Sequence, residues 1–109
     1  MSNIGTIFLF TNQTTDANST AYSIPYSNKT AVVKVWGTFG GASVKFQTLA
    51  PHTSASPVWI DVPDFSGNLM TFIINGQRAL LFLIQGEQLR AVQSGSTGTT
   101  TLNVSVEMY

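Results

Sequence analysis

His52 is the only histidine in the chain, and it stands in a Pro-His-Thr loop. A Ser-His-Asp hydrolase would need it as general base between a serine and one of the aspartates Asp16, Asp61 and Asp64. The G-x-S-x-G elbow that seats such a serine is missing, and SGSTG (94–98) does not match it. His52 therefore reads as a solvated loop side chain. Zinc needs three or four nitrogen or sulfur ligands, which one histidine without cysteine does not supply. Asp61 and Asp64 flank a proline in DVPD without the repeated-aspartate frame of a calcium loop, and read as turn formers. Gly40-Gly41 lacks the P-loop and dinucleotide patterns that lead into a helix, so it reads as a turn. The sequence offers no catalytic residue, no metal site and no cofactor-binding site, and is read as non-enzymatic.

Composition narrows the partners. Five basic and five acidic side chains cancel, and only 9% of residues are charged, against about 25% in an average soluble domain. With no basic stripe to track phosphates, nucleic acid is excluded as a main partner. No apolar run approaches the ~18 residues of a membrane helix. The apolar segment Ile4–Phe10 has no basic residue before it and no small-residue cleavage site after it, so it is not read as a signal peptide. Asn12, Asn18, Asn28 and Asn103 head glycosylation sequons, but without a secretion signal they read as unmodified. The absence of cysteine fits a reducing compartment. A surface with so little charge suits a protein packed against neighbours.

The elements that must position any site are strands. Apolar residues nowhere recur at helical spacing. Short apolar or alternating runs occupy 4–10, 20–25, 31–39, 42–49, 57–62, 69–75, 77–84, 88–94 and 99–108. Polar loops are expected at 11–19 and 50–56. The chain thus reads as one all-β domain over 1–109, an antiparallel β-sandwich of jelly-roll or Ig-like type with about eight strands. The N-terminal strand, 1–10, is expected to pair within its own sandwich or to exchange onto a neighbour's sheet edge.

Three hairpins are expected. Gly40-Gly41 would set Val35 opposite Phe46, with Val33, Val35, Phe39, Val44 and Phe46 on a core face. Asn75-Gly76 carries the strongest short-range hairpin signal, because both central residues of its turn take positive φ. The segment 88–108 reads as a third unit turning at Ser94–Gly98. In its last strand Leu102, Val104, Val106 and Met108 alternate with outward Thr101, Asn103, Ser105 and Glu107. Arg90 reads as half of an ion pair with Glu87 or Glu107.

The first hairpin places Trp36 on its polar face, opposite Lys45. There it either lies flat over lysine stems or anchors a neighbouring subunit or ligand. LMTFII (69–74) and ALLFLI (79–84) are apolar on both faces, as strands covered on both sides are. These features select Trp36, Lys45, Ile7, Phe8, Leu81 and Phe82 as candidate interface residues.

VWGTFGGASVKFQ (35–47), the Trp-bearing strand Pro57–Asp61 and LRAVQSGSTGTTTLNVSV (89–106) resemble the small β-sandwich accessory proteins of tailed-bacteriophage virions. Those proteins show a similar G-x-F-G-G-A-x-V hairpin and a late L/V-R-A-x-x-x-G segment leading into a last Thr/Val strand. The likeness spans 31–108. It departs at PHTSASP (51–57), where similar sequences carry an Asp- and Gly-rich loop. The resemblance implies a virion structural protein, a head decoration or cement protein or else a tail accessory, made in the host cytoplasm. Its implied partners are the major capsid protein or another virion protein and further copies of itself, with a trimer fitting threefold positions. A carbohydrate-binding module on a tail or fibre is the alternative, with Trp36, Trp59, Tyr22 and Tyr26 as its aromatic platform.

Overall fold

The computed structural model describes residues 5–25, 30–50, 58–63, 70–80 and 86–109. Among them are ten strands and no helix: β1 (Gly5–Gln13), β2 (Ala17–Asn18), β3 (Tyr22–Ser23), β4 (Ala31–Thr38), β5 (Ser43–Ala50), β6 (Val58–Asp61), β7 (Thr71–Phe72), β8 (Gly76–Leu80), β9 (Gln88–Ser94) and β10 (Thr101–Met108).

The two-residue period of a strand decides what each element buries. Ala31, Val33 and Val35 of β4 and Leu102, Val104, Val106 and Met108 of β10 face one side of the core. Val44 and Phe46 of β5 and Leu89 and Ala91 of β9 face it from the other. Phe46 and Phe72 meet edge to face on that second side, with ring centroids 5.9 Å apart.

The front sheet has the order β1-β10-β4-β8, and the back sheet β2-β9-β5-β6, with β3 also on β9 and β7 also on β5. Counting β2/β3 and β6/β7 once each, the strands fill eight places. The first place pairs with the last, the second with the seventh, the third with the sixth and the fourth with the fifth. That nested antiparallel pairing is a jelly roll. The fold class expected from sequence is present, and the pairing selects the jelly roll over the Ig-like arrangement.

The same topology overturns the three expected hairpins. β4 and β5 lie in different sheets, so Val35 does not oppose Phe46 and Trp36 does not oppose Lys45. Gly40 and Gly41 do take positive φ, 59° and 94°, in a tight turn closed by Ala42 N–H donating to the Phe39 carbonyl at 2.9 Å. That turn carries the chain from front sheet to back. Asn75-Gly76 links β7 at the back to β8 at the front with neither residue at positive φ, so it is not the type I′ turn expected. The segment 95–100 likewise crosses from β9 to β10. Core faces nevertheless fall where alternation put them, because alternation belongs to a strand and not to its partner.

Two edges also differ from expectation. The loop expected over 11–19 is partly strand, since β1 continues to Gln13 and β2 takes 17–18. Register shifts between Phe8 and Phe10 and between Phe10 and Gln13, with Asn12 at φ 50°, keep these polar residues on β10. The strand expected over 20–25 shrinks to Tyr22–Ser23. Ser19 bridges the break: its N–H donates to the Ala91 carbonyl at 2.8 Å, and its Oγ accepts from Ala91 N–H at 2.9 Å. In 69–75, Met70 and Phe72 are buried but Ile73 and Ile74 are 65% and 72% exposed, so that run is not covered on both faces. No helix among the described residues is long and apolar enough to cross a membrane.

Candidate interaction surface

On the outer face of the front sheet, Phe8, Ser105 and Lys34 form one row across β1, β10 and β4, and Asn103 and Trp36 pair in the next. The backbones of β1 and β4 are two strand spacings apart, about 9.5 Å. The Phe8 and Trp36 rings close that gap, meeting edge to face at 6.2 Å and 68°. Both therefore lean over β10. Ser105, expected outward and solvated, is only 2% exposed between them.

Beside this pair Lys34 Nζ lies 3.1 Å from Glu107 Oε1, and Tyr109 Oη donates to Glu107 Oε2 at 2.7 Å. The tyrosine hydroxyl first, and the lysine second, hold the Glu107 carboxyl below its ordinary value. On the far side of Trp36 a shallow groove runs along the β4–β8 edge, lined by Lys34, Trp36, Asn75, Gly76 and Gln77. Gly37 N–H donates to Asn75 Oδ1 at 3.0 Å, drawing the crossing that contains exposed Ile73 and Ile74 onto the end of β4.

The outer face of the back sheet carries a closed polar chain. Arg90 forks onto Gln47 Oε1 at 2.9 and 2.7 Å, and Gln47 Nε2 donates to Asp61 Oδ1 at 2.9 Å. Lys45 Nζ reaches the same carboxylate at 3.1 Å. Gln47 first, then Lys45, depresses the Asp61 pKa. The Arg90 guanidinium also stacks 4.1 Å over the Trp59 ring. Asp61 is thus a strand-end acceptor and not a turn former. Arg90 binds Gln47, while Glu107, one of its expected partners, is taken by Lys34.

Of the candidate interface residues, Trp36 and Phe8 come together. Ile7 turns inward and packs against the core, because it pairs with core-facing Val106. Lys45 lies on the opposite sheet from Trp36, spent on Asp61. Leu81 and Phe82 lie outside the described residues, as do His52, Asp64 and Tyr26. The four-aromatic platform is not assembled either. Trp59 is on the back sheet beneath Arg90, and Tyr22 packs against the core.

Sequence reading missed Ser105 as the floor of the aromatic pair, and Asn75 and Gln77 as the wall facing Trp36. Only the register of β8 on β4 brings these together, so no local signal marked them. Among the described residues no three of His, Cys, Asp and Glu group to hold a metal. The surface presents an edge-to-face aromatic pair, neutral amides and the Lys34–Glu107 ion pair. No protein-family model matches this chain, and no curated protein matches it.

Proposed function

We propose that this chain is a non-enzymatic structural protein of a phage virion that docks on the outer surface of the capsid and stabilises it. Phe8 is the observation that carries the reading. Phe8 is 59% exposed on β1, an edge strand of the front sheet, and its ring packs edge to face against Trp36. A large apolar side chain held in one orientation loses little entropy on docking, which is the property of an interface anchor. Low surface charge leaves few ions to desolvate around it. Jelly rolls serve as viral capsid and as lectin domains, so fold analogy supports the reading without selecting it. The sequence resemblance over 31–108 adds the direction toward a virion. Homo-oligomers, trimeric at threefold positions, would multiply weak contacts across the shell.

The test is the copy number of this chain in purified particles of the source phage by quantitative mass spectrometry. Copy numbers comparable to the major shell protein, together with loss of Phe8→Ala from the particle, support the capsid reading. A handful of copies moves the chain to the tail, and none ends the virion reading.

A further inference from the structure

We propose that the groove along the β4–β8 edge binds a neutral saccharide, with one pyranose ring against the Trp36 indole and its hydroxyls on the Asn75 and Gln77 amides. The groove lies toward β8 from Trp36, whereas Phe8 lies toward β1, so this inference does not rest on capsid docking.

The chemistry of the lining selects the ligand. A pyranose presents an apolar C–H face ringed by hydroxyls that both donate and accept. Trp36, 37% exposed and braced by Phe8, supplies a fixed apolar plane. Primary amides match hydroxyl rims because each carries a two-proton donor and a carbonyl acceptor. Asn75 Oδ1 is fixed by Gly37 N–H, which orients its Nδ2 as a donor. Gln77 is exposed two residues further on, opposite Lys34 on the same outer face.

The electrostatics favour a neutral ligand. Among the described lining residues Lys34 is the one cation, and it is paired with Glu107. A neutral ligand leaves that pair undisturbed. The groove is shallow, so one or two rings contact it and single-site affinity is about millimolar. Several copies on one scaffold raise that by avidity.

The experiment is a heteronuclear NMR titration of the full chain with maltose, cellobiose, lactose and diacetylchitobiose, each to roughly 50 mM. The two indole N–H signals are assigned with Trp36→Ala. At least one disaccharide is expected to shift the Trp36 indole and the Gln77 side-chain amide saturably while leaving Trp59 in place. Gln77→Ala, an exposed substitution, should weaken that binding about tenfold, and Phe8→Ala should leave binding detectable. Absence of a Trp36 shift with all four sugars overturns the inference, as does a shift that never saturates or that Trp59 shares. Sugar binding without capsid docking, or the reverse, separates the two readings.

Discussion

The rings of Phe8 and Trp36 touch edge to face across β10, and Ser105 lies buried beneath them. Two residues 28 positions apart thereby close the outer face of the front sheet, where alternation alone would leave a polar strip. A double-mutant cycle of Phe8→Ala and Trp36→Ala in urea unfolding should show a coupling of about 0.5–1.5 kcal/mol. Additive losses would mean that the rings are neighbours without being partners.

Gly37 has no room for a side chain. Its φ is 131°, and a Cβ there would run into the Thr101 carbonyl and stand 3.3 Å from Leu102 Cα. Both obstacles are backbone of the paired strand and cannot swing aside. Gly37→Ala should cost about 2–4 kcal/mol. Gly5→Ala, with nothing within 4 Å of the added carbon, should change stability by less than about 0.5 kcal/mol. Equal midpoints for the two variants in chemical denaturation would contradict this account.

Ser19 completes the β9 edge where the strand beside it breaks. Ser19→Ala leaves the buried Ala91 N–H without its acceptor, at a cost of about 1–3 kcal/mol. Amide exchange at Ala91 should accelerate more than at Leu102, which lies in the other sheet. Unchanged protection at Ala91 would show that another group replaces the hydroxyl.

Acid should loosen the fold through three carboxylates. Asp16 is held low by Ser96, Asp61 by Gln47 and Lys45, and Glu107 by Tyr109 and Lys34. A carboxyl whose folded pKa lies below its unfolded value stabilises the fold above the unfolded pKa, and loses that contribution as pH falls through the folded one. Melting temperature should therefore be flat with respect to these groups above about pH 5 and decline below about pH 4. Glu107→Gln should shrink the decline. A melting temperature that rises on acidification through that window would reverse the sign and refute the assignment.

How far the sequence reaches is clearest at the crossings. Val33, Val35, Val44 and Phe46 are inward as their alternation demands, and Gly40-Gly41 turns tightly with positive φ. From the same signals the partner of β4 is inferred wrongly. A two-glycine turn serves a hairpin or a crossing between sheets equally well, and the period of two is silent on which strand lies alongside. Trp36 was legible as an exposed aromatic at odds with its face. Its contact with Phe8 and its groove with Asn75 and Gln77 were not, since each depends on register between strands far apart in the chain.

The sequence by itself determined the all-β class, the positions of the long strands β4, β5, β9 and β10, which side of β4, β5 and β10 meets the core, and the scarcity of charge. These follow from local chemistry: the two-residue period, β-branched side chains and the conformations that glycine permits. Tertiary structure alone decided that first pairs with last and second with seventh, which residues share the outer face, and that Ser105 is buried while Ile73 and Ile74 are exposed. The physical reason is that a jelly roll closes by backbone hydrogen bonds between distant segments. Every peptide group offers the same donor and acceptor, so strand pairing is selected only when the two inner faces fill one core together.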